Sequence, residues 1–165
     1  MHEAQLPPIT DFSWQDVERA CSLVVRWIAN QRRQLDMLVA IERGGCIPGV
    51  ILAHRLAMEG FMTLSVRTTS TDVPYAPRRA DGPQVDEGPL HLDGQAVLLV
   101  DDVTNTGTTL RVARERLGRA GCHEVVTAVL AWDCWGGHSL EADYAARHTD
   151  GWVRFPWERE PSRSS

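Results

Sequence analysis

The chain has 165 residues, 43% hydrophobic and 24% charged, which suits one domain able to bury about 70% of its unfolded surface. A formal net charge of −5 argues against a general nucleic-acid binder, so an anionic ligand must be welcomed locally by backbone dipoles, a few arginines and metal. No apolar run approaches the ~20 residues of a membrane span, and no basic segment followed by an apolar one opens the chain, so a soluble, cytoplasmic protein without a membrane partner is expected. The four cysteines, Cys21, Cys46, Cys122 and Cys134, lack Cys-x-x-Cys or Cys/His ligand spacing, which points to reduced thiols rather than zinc.

Residues 1–12 contain Pro7 and Pro8, are weakly patterned, and read as an arm. Ser13 then has the character of an N-cap, with Asp16 three residues on and Val17, Cys21, Val24, Val25 and Ile28 at helical spacing, which predicts a helix over about 13–33. The apolar run Met37 to Ile41 reads as the first central strand. In Glu42-Arg43-Gly44-Gly45-Cys46-Ile47-Pro48-Gly49, two glycines permit a tight, close-approach turn, and Pro48 suits the start of a helix running through Met58. Phe61 to Val66 reads as the next strand. From Arg67 the pattern dissolves: residues 68–89 carry Pro74, Pro77, Pro83, Pro89, Gly82 and Gly88 with Arg78 and Arg79, and show no period. A stretch of about twenty such residues in a compact domain is either a disordered insert or a functional lid.

The most informative stretch follows. Val97-Leu98-Leu99-Val100 runs straight into Asp101-Asp102, the pattern of a buried parallel strand that delivers two carboxylates to its carboxyl end. Thr104-Asn105-Thr106-Gly107-Thr108-Thr109 then opens a helix over about 108–120, whose first N–H groups have no intrahelical acceptor. Peptide dipoles and the hydroxyls of Thr106, Thr108 and Thr109 favour a phosphate there, and Gly107 lets the backbone approach it. An acid pair repels phosphate, so it must face something neutral or cationic beside it, such as vicinal sugar hydroxyls or hydrated Mg²⁺. A sugar phosphate satisfies both halves. Gly121 ends the helix and Val125 to Ala131 makes another strand. Strand and helix alternate with no repeat, low-complexity tract or linker, so the expected fold is a single α/β domain over 1–165. Its core, about 13–131, would be a mostly parallel central sheet with helices on both faces. The Gly-x-Gly-x-x-Gly fingerprint is absent, which argues against NAD.

The 97–110 stretch resembles the phosphoribosyl-diphosphate (PRPP) loop of type I phosphoribosyltransferases, in which apolar strand, acid pair, turn residue, Thr-Gly and Thr follow in this order. The resemblance implies that Asp101 and Asp102 hold the ribose hydroxyls and Mg²⁺, while Asn105, Thr106, Gly107, Thr108 and Thr109 cup the 5′-phosphate. Residues 42–49 resemble the family's pyrophosphate loop, which implies that Arg43 and the backbone of Gly44 and Gly45 contact the diphosphate, with a cis Arg43–Gly44 peptide. Residues 68–89 fall where that family has a mobile loop over the reaction centre, although its Ser-Tyr pair is not evident here. Trp152-Val153-Arg154-Phe155-Pro156-Trp157-Glu158 is similar to the end of the xanthine-guanine and hypoxanthine members, which implies that Trp152 stacks on an acceptor base and backbone at Val153 reads its edge. A small C-terminal hood over about 132–158 would hold that base. Trp132, Trp135, Trp152 and Trp157 all fall within it, as a packed cap or as a slot for a planar ligand.

Two departures stand out. Members acting on 6-oxopurines usually place an aspartate where this chain has Asn105, and a lysine near Trp132, whereas this chain contains no lysine. Asp133 could face N–H donors of an unusual base, or be a surface loop acid. The implied activity is transfer of the 5-phosphoribosyl group from PRPP to a nitrogenous base, purine-type first, with release of pyrophosphate. Asp101, Asp102, Asn105 and Arg43 would be the catalytic set, Mg²⁺ the cofactor and a homodimer the assembly. The alternatives are a transferase for a non-standard base and a catalytically weak, PRPP-sensing regulator.

Overall fold

A central strand buried on both faces organises the molecule. The computed structural model describes residues 7–69, 77 and 79–158. In chain order its elements are β1 (Ile9–Asp11), α1 (Trp14–Gln31), β2 (Met37–Glu42), α2 (Cys46–Arg55), β3 (Gly60–Arg67), β4 (Gln84–Val85), β5 (Ala96–Thr104), α3 (Thr108–Arg119), β6 (Glu124–Asp133), β7 (Tyr144–Thr149) and β8 (Trp152–Arg154). Six strands form one sheet in the order β4-β3-β2-β5-β6-β7, and β1 and β8 form a separate pair. Every pairing in the large sheet is parallel except β3 with β4. Successive side chains of a strand face opposite ways, so Leu98 and Val100 pack with Val24 and Leu52 of α1 and α2, whereas Val97 and Leu99 pack with Leu110 and Leu117 of α3. The expected mostly parallel sheet with helices on both faces is present.

Local chemistry explains where the elements start. Ser13 caps α1 with a reciprocal pair: its Oγ accepts from the Asp16 N–H at 3.2 Å, and Asp16 Oδ2 accepts from the Ser13 N–H at 2.9 Å. The helix ends at Gln31, α2 at Arg55 rather than Met58, and α3 at Arg119, with Gly121 beyond it at φ +91°. All four cysteines are free, and burial pushes the Cys21 thiol up to about 11. No helix among the described residues is long and apolar enough to cross a membrane.

Three expectations need correction. The weakly patterned arm contains β1, which pairs in parallel with β8 from Ile9↔Trp152 to Asp11↔Arg154. Arg154 clamps it, donating from Nε and NH2 to the two carboxylate oxygens of Asp11 at 2.5 and 3.0 Å, and Phe12 meets Phe155 edge-on at 5.1 Å. The expected hood over 132–158 is divided, because β7 joins the large sheet beside β6, leaving β8 with β1 as the separate layer. β7 is a largely solvated edge strand, Tyr-Ala-Ala-Arg-His-Thr, and so lacks the apolar run that marks a central one. The expected lid over 68–89 is not structureless throughout: β4 pairs antiparallel with β3, Val66 opposite Val85. Buried Arg116 holds the chain beyond it, donating to the carbonyls of Asp86, at 3.0 Å, and Gly88. Residues 70–76 and 78, including Pro74 and Arg78, lie outside the described residues.

Candidate active site

Parallel strands β2, β5 and β6 end at one edge of the sheet, where α/β proteins hold their ligands. At the end of β2 the chain turns through Arg43, Gly44 and Gly45, closed by a Cys46 N–H to Arg43 carbonyl bond of 3.2 Å. The cis peptide is Glu42–Arg43, one bond earlier than the expected Arg43–Gly44. Both glycines are there for close approach. A Cβ on Gly44 would stand 1.9 Å from Asp102 Oδ2, and one on Gly45 would stand 2.7 Å from the carbonyl oxygens of Ile41 and Val100. The glycine turn is therefore pressed directly against the acid pair of β5.

Asp101 is 7% exposed, and its Oδ1 accepts the Asp102 N–H at 2.9 Å; Asp102 Oδ1 accepts the Val103 N–H at 2.8 Å. Burial first, and then the neighbouring Asp102 charge, raise the Asp101 carboxyl well above its ordinary range. Burial likewise raises Asp102. Such a pair ionises fully only when a cation or hydroxyl donors arrive. Among the described residues no group of three or more His, Cys, Asp or Glu side chains could hold a metal. A hard cation here would take two carboxylates from the protein and the rest of its oxygens from ligand and water, the usual manner of Mg²⁺ with phosphates.

Beyond the acids, Gly107 turns the chain at φ +72°, in the left-handed region that favours glycine. A Cβ there would also meet the Glu141 stem at 2.2 Å. Helix α3 starts at the next residue with no acid in its first turn, and that turn supplies N–H groups the helix itself cannot satisfy. Thr106 and Thr108 hydroxyls lie 3.1 Å apart, and Thr109 touches Thr68 at 3.3 Å. This turn floors a cavity of about 360 Å³. Thr68 and Thr69, at the root of the expected lid, form one wall; Asp133, Trp135, Gly136, His138 and Trp152 contribute the other. The arrangement can take a phosphate at one end and a flat group at the other.

Residues 12–160 match the family described as phosphoribosyl transferase domain. The chain belongs to that family. It is 33% identical over 149 residues to the xanthine-guanine phosphoribosyltransferase of Chromohalobacter salexigens, covering 88% of this chain and 82% of that protein. The corresponding figures for the xanthine-guanine phosphoribosyltransferase of Gluconobacter oxydans are 29% over 152 residues, 90% and 84%. Among solved structures, the purine phosphoribosyltransferase from Pyrococcus horikoshii superimposes with a TM-score of 0.77 at 28% identity, over 95% of this chain and 98% of that one. Like these relatives, the chain is a phosphoribosyltransferase, the class that the 97–110 stretch resembles.

Within this phosphoribosyltransferase two of the residues singled out for a base, Trp152 and Asp133, line the cavity. Val153, expected to contribute its backbone, lies on the strand that pairs with β1, with its side chain 2% exposed in the core. Trp132 is not among the described residues of the wall; its ring packs edge-on against His148 at 5.0 Å. Asp133 is 8% exposed, so it is no surface loop acid, and its Oδ1 accepts the N–H groups of Trp135 at 2.9 Å and Gly151 at 3.0 Å. Asn105 lines the cavity and donates from Nδ2 to the carbonyls of Asp133 at 2.8 Å and Trp135 at 3.4 Å. The amide thus ties the phosphate turn to the end of β6, a bond an ionised aspartate could not make. The tryptophans divide between the two roles considered for them: Trp135 and Trp152 line the cavity, while Trp157 stacks on Phe155 at 4.6 Å and 6° and packs near Trp14. His138 and the Thr68–Thr69 pair were not singled out in the sequence. The position of Gly136-Gly137-His138 just after a parallel strand's carboxyl end was the available signal.

Proposed function

We propose that this phosphoribosyltransferase moves the 5-phosphoribosyl group of PRPP onto a ring nitrogen of a purine base, with inversion at C1 and release of pyrophosphate. The observation that carries the reading is the arrangement of three pieces at one sheet edge: the Gly44–Gly45 turn against Asp102, the acid pair with Asp101 buried, and the left-handed Gly107 that opens α3. The xanthine-guanine and purine specificities of the relatives support a purine acceptor.

The Thr106–Thr109 turn anchors the 5′-phosphate through first-turn N–H groups and hydroxyls, where peptide dipoles favour negative charge. Asp101 and Asp102 accept from the ribose hydroxyls and steady the positive charge that grows on the ring as the bond to pyrophosphate lengthens. The same two carboxyls fit Mg²⁺, which when bound neutralises charge on the departing diphosphate. Arg43 and the N–H groups of Gly44 and Gly45 receive that diphosphate. Trp152 offers a flat face to the base, and Asn105 fixes the distance between phosphate turn and base wall. Holding both reactants in line is the larger part of such catalysis. The reading includes a cytoplasmic homodimer, which sedimentation of the purified protein tests.

Pyrophosphate release with PRPP and Mg²⁺, measured against guanine, hypoxanthine, xanthine, adenine, uracil and orotate, tests the reading. Turnover of at least one purine is expected. Tight PRPP binding with no transfer to any base would make the protein a sensor, and PRPP loss without an acceptor would make it a hydrolase; either result overturns the proposal.

A further inference from the structure

Transfer to a ring N–H liberates a proton, because the nitrogen forms its bond to C1 as the C1–O bond to pyrophosphate breaks. Some group at the base end of the cavity must take that proton for an ordinary, weakly acidic ring N–H to react. Asn105 is not a base, and its amide protons are engaged by the Asp133 and Trp135 carbonyls. Asp133 is buried, with Oδ1 shared between two backbone N–H groups. The threonine hydroxyls of the turn are not proton acceptors at neutral pH; the Asp102 carboxylate lies against Gly44, and neither Asp101 nor Asp102 is among the residues lining the cavity. Among the described residues that line the cavity, Asp133 and His138 alone carry acidic or basic side chains; Asp133 is buried with Oδ1 committed to two backbone N–H groups, whereas His138 is exposed and its ring nitrogens are not engaged by the described residues.

Its placement is built rather than accidental. Beyond β6 the chain makes a turn closed by the Gly137 N–H to Cys134 carbonyl bond of 3.1 Å, with Gly136 and Gly137 at φ +85° and +75°. This folds the His138 ring back over Gly136, where Nε2 would lie 3.3 Å from a Cβ on that glycine. The segment is tied to the phosphate turn on both sides of the histidine. Asn105 holds Asp133 and Trp135 on one side, and on the other the Glu141 stem rests on Gly107. No hydrogen bond reaches either ring nitrogen of His138 from the described residues.

Resting on the activity proposed above, we infer that His138 is a catalytic residue that accepts the ring proton of the acceptor base during phosphoribosyl transfer. The products are the N-linked nucleotide, pyrophosphate and an imidazolium, which, being exposed, returns its proton to solvent. A neutral imidazole is suited to this step because its unprotonated ring nitrogen accepts a proton and the imidazolium so formed can give it up again.

The test is His138→Asn, assayed as kcat and KM on the best purine and on its 8-aza analogue, whose ring N–H is more acidic. The expected result is a kcat lowered by about 100-fold or more on the purine, with KM for PRPP within about twofold of the parent. The loss should be markedly smaller on the 8-aza analogue, and added imidazole should restore part of the rate. An exposed side chain without hydrogen bonds is removed, so thermal unfolding should be unchanged. Turnover within about twofold of the parent on both bases overturns the inference. So does a loss that follows the 6-substituent of the base rather than the acidity of its N–H, since that marks a contact and not a proton acceptor. If the parent enzyme transfers to no base at all, the activity itself falls; if the parent is active and the variant equally so, only the role of His138 does.

Discussion

Replacing Asn105 with aspartate gives the site the carboxylate that similar enzymes carry, and the structure predicts that it will harm rather than help. The parent amide donates to the Asp133 carbonyl at 2.8 Å and to the Trp135 carbonyl at 3.4 Å. Loss of the shorter bond costs about 1 kcal/mol, and leaving a partly buried carbonyl facing a carboxylate adds about 1–3 kcal/mol. The sum, about 2–4 kcal/mol, corresponds to a fall in Tm of roughly 5–15 °C for a domain of this size. The penalty belongs to the ionised form, because a protonated carboxyl at position 105 can donate its O–H to the Asp133 carbonyl. The folded pKa of the introduced acid is therefore raised above its unfolded value of about 3.9. The loss is complete above that folded pKa and fades as pH falls toward the unfolded value. Thermal unfolding of Asn105→Asp, Asn105→Ala and parent between pH 4 and pH 8 reads this directly. The aspartate variant should lose stability progressively as pH rises, while the alanine variant should show a deficit that does not depend on pH. Equal Tm values for aspartate variant and parent at neutral pH, or a gain in kcat, would refute the argument that Asn105 is a strut between phosphate turn and base wall.

The two loop glycines should fail differently. Gly45→Ala sets a Cβ 2.7 Å from two backbone carbonyls that cannot swing aside, and overpacking of about 1–3 kcal/mol should appear as a lower Tm. Gly44→Ala meets only the Asp102 side chain, so calorimetry should find lost PRPP affinity with the fold kept. Asp101→Asn should stabilise the unliganded protein at neutral pH. A carboxyl whose folded pKa is raised favours folding most when protonated, and that advantage is lost as pH rises from the unfolded toward the folded value, a window the amide does not have. The same variant should bind PRPP with Mg²⁺ more weakly, so a stability gain without an affinity loss would count against a ligand role for the acid. Trp152→Ala should raise KM for the base while leaving PRPP binding unchanged, as steady-state kinetics and calorimetry together would show.

The parts of this chain governed by short-range chemistry were legible in the sequence. The Ser13–Asp16 cap, the apolar run into Asp101 and Asp102, and the glycines at 44, 45 and 107 each declare a local backbone requirement, and the structure meets each of them. What escaped depends on partners distant in sequence. Strand β1 exists because Asp11 meets Arg154 and Phe12 meets Phe155, contacts that three residues of arm cannot announce. Strand β7 is half solvated, so its pairing with β6 leaves no apolar signature. The base wall depends on distant partners in the same way. The tryptophans at 132, 135, 152 and 157 left a packed cap and a planar slot equally open, and strand alternation sets the Trp132 ring opposite to Asp133, edge-on to His148. Asp133 stays in the cavity wall with its Oδ1 claimed by the N–H groups of Trp135 and Gly151, and Gly136 and His138 beyond it join that wall.

The proposed activity turns on the grip of residues 101–109 on a pentose monophosphate. A crystal structure with PRPP and Mg²⁺ bound measures that grip most directly. The 5′-phosphate is expected on the N–H groups and hydroxyls of Thr106 to Thr109, with the ribose hydroxyls against Asp101 and Asp102. Density for PRPP away from that turn, or reversed so that the diphosphate occupies it, would refute this mode of binding.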